Sequence, residues 1–245
     1  MHHKKIALVT GANKGLGREV ARQLAEQGLK VLIGSRNSAS GEATAEELRK
    51  EGHEAYALQI DVTSEPSVEA AANWVNDTFG RLDVLIANAG ILRRVATFET
   101  TAADMFETYD TNVFGMVRTV HRMLPLLQKS QHPRIVTVAS TTASQTLCGD
   151  PTTLFGQSDT ILAYASSKAA VNMLTVQYAN AFARSAAHAH VKINAATPGH
   201  IATDLNGHQG TRTAGQGATV VVKLATLDDA GPSGGFYNED GPLPR

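Results

Sequence analysis

Cysteine occurs once, at Cys148, so no disulfide can close within the chain, and the composition fits a reducing compartment. Neither sign of charge dominates: 22 Lys and Arg stand against 23 Asp and Glu, a formal net charge of -1, and the basic residues are scattered. That lacks the electrostatic footprint a nucleic acid or an anionic membrane requires. Long apolar runs are missing as well. Ile6 to Val9, behind the basic start Met1-His2-His3-Lys4-Lys5, stops at a glycine turn and is too short for a signal peptide. No stretch approaches a membrane span, and the expected location is the cytoplasm. His188-Ala189-His190 has no third ligand in sight, so no metal site is expected, and His2-His3 is given no role. Repeats, low-complexity segments and linkers are also lacking, so residues 1–245 read as one domain.

What is present is alternation. Lys5 to Thr10 reads as a buried strand running into Gly11-Ala12-Asn13-Lys14-Gly15-Leu16-Gly17, after which Arg18 to Gln27 has helical spacing. A strand, a glycine turn and a helix together suit a phosphate. Gly11 permits the tight turn, Gly15 lets backbone approach a pyrophosphate at the positive helix end, and Gly17 allows close packing on the strand. Lys30 to Gly34, Ala55 to Ile60, Leu82 to Ala87, Arg134 to Ala139 and Val191 to Ala196 are further strands. The helices between them span Gly41 to Lys50, a segment capped at Thr63 or Ser64 and stopped by Gly80, Thr101 to Lys129, and Thr160 to Ala187. The third of these is expected to bend near Pro125. A last helix over Ala218 to Leu227 and a short strand over Gly235 to Asn238 finish the chain. This order predicts an α/β fold: one Rossmann-type, doubly wound parallel sheet of about seven strands with helices on both faces.

Strand ends are where such sheets bind ligands. At the end of the second strand, Ser35-Arg36-Asn37 offers no acid for ribose hydroxyls. Arg36 and Lys14 instead supply two cations where a 2'-phosphate would sit. Ser140 stands just past the fifth strand, with Thr141, Thr142 and Ser144 as rival hydroxyls. Asn112, mid-helix, is a poor helix former whose amide needs partners. Tyr164-Ala165-Ser166-Ser167-Lys168 places a phenol and an ammonium one helical turn apart on one face. A unit charge about 5 Å from the phenol, at an effective dielectric near 20, is worth about 3 kcal/mol, or roughly two pKa units. That predicts a phenol tuned toward acid-base work near neutral pH.

Thr10-Gly11-x-x-x-Gly15-x-Gly17, Asn88-Ala89-Gly90, Asn112, Ser140, Tyr164-x-x-x-Lys168 and Pro198-Gly199-x-x-x-Thr203 together resemble the short-chain dehydrogenase/reductase family, over Lys5 to Tyr237. Within it, Asn13-Lys14 with Arg36, Pro198 to Asn206 and the end Gly231 to Phe236 are similar to the NADPH-preferring carbonyl reductases. The resemblance implies reduction of a small ketone or aldehyde. Tyr164 would be the proton donor, Lys168 would hold the nicotinamide ribose, Ser140 would orient the carbonyl, and Asn112 would anchor a relay water. It further implies that Asp61 and Val62 flank the adenine, Asn88, Ala89 and Gly90 line the cofactor cleft, and Ile201 and Thr203 contact the carboxamide beside Pro198 and Gly199.

Two departures stand out. Ala87 replaces an asparagine common in the family, and Ser140 and Tyr164 are 24 positions apart, roughly twice the usual separation. The added residues, Ser144 to Ser158, are expected to form a mobile or partly ordered flap bearing on substrate choice. Monomeric carbonyl reductases carry a much longer insertion here, so a monomer and a homo-oligomer both stay open. The competing functional readings are an NAD-linked alcohol or steroid dehydrogenase, a 3-oxoacyl reductase, and a nucleotide-binding sensor that lost catalysis. Retention of Ser140, Tyr164 and Lys168 argues against the sensor.

Overall fold

A computed structural model describes residues 4–245; the His2-His3 pair lies outside them. The elements are β1 (Ile6–Thr10), α1 (Gly15–Glu26), β2 (Lys30–Ser35), α2 (Ser38–Lys50), β3 (Ala55–Gln59), α3 (Glu65–Phe79), β4 (Val84–Ala87) and α4 (Ala102–Tyr109). They continue as α5 (Gly115–Leu127), β5 (Arg134–Val138), α6 (Gln145–Cys148), α7 (Leu162–Arg184), β6 (Lys192–Ala196), α8 (Ala214–Ala225), β7 (Phe236–Asn238) and β8 (Gly241–Pro242). The sheet order is β3-β2-β1-β4-β5-β6-β7-β8, parallel throughout except for the last pair. The parallel, doubly wound reading holds. The eighth strand goes beyond the expected seven, because Asn238 Oδ1 accepts from the backbone N–H of both Asp240 and Gly241 and turns the chain back on itself.

Period-two alternation decides the packing. In β1, Ala7 and Val9 enter one core with Val20, Leu24 and Val221, whereas Ile6 and Leu8 enter the other with Val68, Val120 and Met123. Both faces are therefore covered, which explains why the strands read as continuous apolar runs. Each fully buried large aliphatic contributes about 1.5–3 kcal/mol. The chain steps outward from β1 through β2 to β3, then returns to pair β4 on the other side of β1. That reversal opens a crevice at the carboxyl ends of β1 and β4.

The segment 101–129 departs from expectation. α4, begun by a reciprocal Thr101–Asp104 capping box, passes into a π turn over Asp110–Phe114 and then into α5. The irregularity falls there rather than at Pro125, which α5 carries near its end. At the junction a methyl on Gly115 would stand 2.7 Å from Val62 Cγ2, so the helix lies close on the loop after β3. Among the described residues no helix is long and apolar enough to cross a membrane.

Candidate active site

The crevice is built from strand ends. Past β1, Gly11 and Gly15 take the left-handed backbone at φ +65° and +54°. A side chain on Gly17 would come within 2.5 Å of Asn88 Nδ2 and closer still to the Gly11 carbonyl. Leu16 points into the core, so it can offer a ligand only backbone. The Asn13 carbonyl accepts from Thr44 Oγ1 at 3.3 Å. α1 begins without a side-chain cap and without an acid in its first turn. Its leading amides and positive end are thus open to an anion.

Thr10 was not singled out for a role from sequence, yet it ties the crevice together. Its Oγ1 accepts from the backbone N–H of Asn88 and of Ala89, both at 3.0 Å, while Asn88 Nδ2 donates to the carbonyls of Thr10 and Gly11. Gly90 comes next. A methyl there would lie 3.2 Å from Asn112 Oδ1 and 3.4 Å from Lys168 Nζ, so only bare backbone leaves this floor of the crevice clear.

Asn112 sits in the π turn, 2 % exposed. Its Nδ2 donates to the Ile91 carbonyl and to Ser167 Oγ, both at 3.0 Å, and its Oδ1 accepts from Ile91 N–H at 2.8 Å. Both amide protons are committed to protein, so the side chain braces the loop after β4 against α7. Ser167, unremarked in the sequence although it lies inside Tyr164-x-x-x-Lys168, carries the brace on to α7 by donating to the Tyr164 carbonyl at 2.7 Å.

Ser140 closes the site from β5. The three rival hydroxyls are all accounted for: Thr141 pairs with Thr197, Ser144 caps α6 by accepting from Leu147 N–H, and Thr142 serves Ser140 itself. Ser140 Oγ accepts from Thr142 Oγ1 at 2.9 Å and from Thr142 N–H at 3.3 Å. With its lone pairs occupied, the Ser140 hydroxyl is left to donate, and the part-buried Tyr164 phenol is within its reach.

Lys168, 4 % exposed, donates from Nζ to the Val138 carbonyl at 2.8 Å and stands 5.7 Å from the Tyr164 ring centroid. Burial lowers its pKa to about 8. Burial also pushes the Tyr164 phenol up from its ordinary value, with the Ser140 hydrogen bond opposing. This corrects the expectation of a phenol pulled down by the neighbouring ammonium. Desolvation of the phenolate outweighs attraction to a cation that is turned toward a carbonyl.

Arg36, exposed at the end of β2, makes no side-chain hydrogen bond or ion pair with any described residue. Lys14, by contrast, is paired with Asp204 at 2.9 Å and is not directed toward Arg36. Asp204 belongs to the segment after β6, where Gly199 turns at φ +73° behind Pro198, Ile201 bridges Arg212, and Thr203 lies 3.5 Å from where a Gly15 methyl would stand. Asp61 accepts from Thr63 N–H and Oγ1, fixing the loop after β3, and Val62 is buried beside Gly115.

The insertion is folded. Ser144 caps α6, Thr153 Oγ1 donates to the Leu147 carbonyl, and Val95 and Thr97 pin the loop after β4 to Thr160 and Asp159. Its Cys148, Phe155 and Gly156 line an open depression of about 210 Å³ with Ile161, Leu162 and Ala165 of the α7 entrance.

The residues fit a nicotinamide dinucleotide: an uncapped helix start behind a glycine turn, a cleft floor that a single methyl would obstruct, and a free cation at the end of β2. Comparison with known proteins agrees. A family model described as short chain dehydrogenase matches residues 5–214. Short-chain dehydrogenase/reductase 1 of Saponaria officinalis is 35% identical, the match covering 97% of this chain and 95% of that protein. The structure of salutaridine reductase from Papaver somniferum superposes with a TM-score of 0.80 at 28% identity, over 96% of this chain and 99% of that one. The 3-ketoacyl-(acyl-carrier-protein) reductase from Brucella melitensis, complexed with NADH, gives a TM-score of 0.82 at 25% identity, over 96% of each chain.

Proposed function

The chain belongs to the short-chain dehydrogenase family, and we propose that within it the protein is an NADPH-dependent reductase of small ketones and aldehydes. The observation that carries the cofactor reading is the end of β2, where Arg36 is exposed and unpaired and no carboxylate stands to bind ribose hydroxyls. Gly11, Asn13, Gly15, Leu16 and Gly17 would hold the pyrophosphate by backbone, with Asp61 and Val62 at the adenine and Asn88 to Gly90 along the cleft. Pro198, Gly199, Ile201 and Thr203 would take the nicotinamide end. The bound cofactor supplies the hydride.

The chain's own residues do the rest. Ser140, its oxygen already accepting from Thr142, donates to the substrate carbonyl and orients it. Tyr164, whose phenol is kept protonated at neutral pH by burial, donates the proton that makes the alcohol. Lys168, held by the Val138 carbonyl, holds the ribose and supplies positive charge as the phenol gives up its proton. Asn112 braces the cleft floor against α7, and would anchor the relay water through an acceptor oxygen, since both of its amide protons are committed.

Steady-state rates with NADPH and NADH on aryl ketones, ketoesters, diketones and aldehydes test this reading. Arg36→Asp is expected to raise the KM for NADPH by about 10- to 100-fold and that for NADH far less; equal effects on both would remove the basis for NADPH. Deleting residues 150–157 is expected to redistribute kcat/KM across that panel with nucleotide KM unchanged, because Phe155 and Gly156 line the depression beside α7. An unaltered ranking of substrates would separate the insertion from substrate choice.

A further inference from the structure

The segment after β6 is stapled to the nucleotide side of the fold at both ends. At its far end, Gln23 Nε2 of α1 donates to the Gly215 carbonyl at 3.0 Å. At its near end Asp204 accepts the Lys14 ammonium at 2.9 Å through Oδ2, while its Oδ1 lies 2.8 Å from His208 Nε2. The turn that presents Asp204 is rigidly made. Thr203 N–H donates to Asn206 Oδ1 at 3.2 Å, Asn206 Nδ2 holds the Ile201 carbonyl at 2.9 Å, and His208 occupies the left-handed region at φ +61°. Thr203 packs over Gly15 beside them. Lys14 belongs to the same glycine turn whose Asn13 carbonyl rests on Thr44 of α2, the helix entered directly after Arg36 and Asn37. The glycine turn that carries Lys14 thus touches the segment after β6 through Asp204 and α2 through Thr44.

We propose that Asp204 competes with the 2'-phosphate of the cofactor for Lys14. The reading rests on the NADPH assignment above. One ammonium serves two anions: in the free protein it clasps residues 199–213 to the glycine turn, and a 2'-phosphorylated nucleotide draws it away toward Arg36. Binding of the phosphate and closure of the clasp are therefore negatively linked, and by reciprocity removing Asp204 favours the phosphorylated nucleotide. Asp204 sets cofactor preference without touching the cofactor.

The test measures calorimetric binding of 2',5'-ADP and 5'-AMP to wild type, Asp204→Asn, Lys14→Gln and the double variant, with amide exchange over residues 203–208 of the nucleotide-free proteins. Asp204→Asn is expected to tighten 2',5'-ADP about two- to fivefold, the range of an exposed ion pair, and to leave 5'-AMP unchanged. In the Lys14→Gln background the same substitution should have no effect on 2',5'-ADP, and either single variant should speed exchange. A gain that persists without Lys14, no gain, or weaker binding of both nucleotides would overturn the competition, as would unaltered exchange. The cofactor reading fails separately: if wild type binds 2',5'-ADP no better than 5'-AMP, NADPH is wrong whatever the exchange shows.

Discussion

Replacing Tyr164 by phenylalanine is expected to lower ketone turnover by roughly 10²- to 10⁴-fold, the span that removing a positioned general acid costs, with nucleotide affinity within about twofold of wild type. The phenol is placed against both Ser140 and Lys168, while the Lys168 ammonium is committed to the Val138 carbonyl. Ser140 would still orient the carbonyl, so KM should move little while kcat falls. That split marks an interaction made in the transition state and not on binding. The fold should tolerate the change, since Tyr164 is only part-buried and its ring carbons stay; a hydroxyl deletion of this kind costs about 1 kcal/mol. Thermal unfolding and calorimetric nucleotide binding establish that the variant is intact, and turnover is then measured with saturating NADPH. Undiminished turnover in an intact variant would remove the proton donor from the mechanism, leaving only the dinucleotide fold.

The sequence made the sheet legible because burial on both faces writes β1, β2 and β4 as near-continuous apolar runs and the other strands as largely apolar ones, each followed by a glycine or a polar strand end. Ligand-side residues were legible for the same reason. Ser140, Asn88 and Arg36 announce themselves by following a strand directly, and Tyr164 with Lys168 by helical spacing. What stayed hidden depends on contacts between distant segments. That Lys14 turns to Asp204, 190 positions away, follows from the path of the loop after β6, which no local pattern encodes. The π turn at 110–114 is likewise invisible, since Asp-Thr-Asn-Val-Phe carries no glycine or proline; it forms where Asn112 must reach Ile91 and Gly115 must clear Val62. The upward direction of the phenol's pKa is not legible either, because charge spacing can be read from sequence whereas desolvation cannot.

Lys168→Met tests the energetic consequence of that burial, and its outcome is expected to run in two directions at once. Turnover should fall by at least about 10²-fold, because the charge that stabilises the tyrosinate is gone, while the fold becomes more stable at neutral pH. The reason is linkage. Lys168 has its pKa lowered from 10.5 to about 8 in the folded protein. Between those values the unfolded chain holds a proton the folded chain does not, so wild-type stability rises as pH climbs from about 8 toward 10.5. Below pH 8 both states are charged and the full cost of the buried ammonium is present, about 3 kcal/mol by the size of the shift. Methionine removes that cost and forfeits the hydrogen bond to Val138, worth about 1 kcal/mol. The net gain is about 2 kcal/mol, or roughly 4–8 °C in Tm for a chain of this size. Melting curves of both proteins at pH 7 and at pH 10 check the sign: the variant's advantage should be largest at pH 7 and should shrink on the alkaline side. A variant less stable than wild type at pH 7, or an advantage that grows with pH, would mean that the ammonium is well solvated in place. In that case a site held at an energetic cost for the sake of its charge would be the wrong description of Lys168.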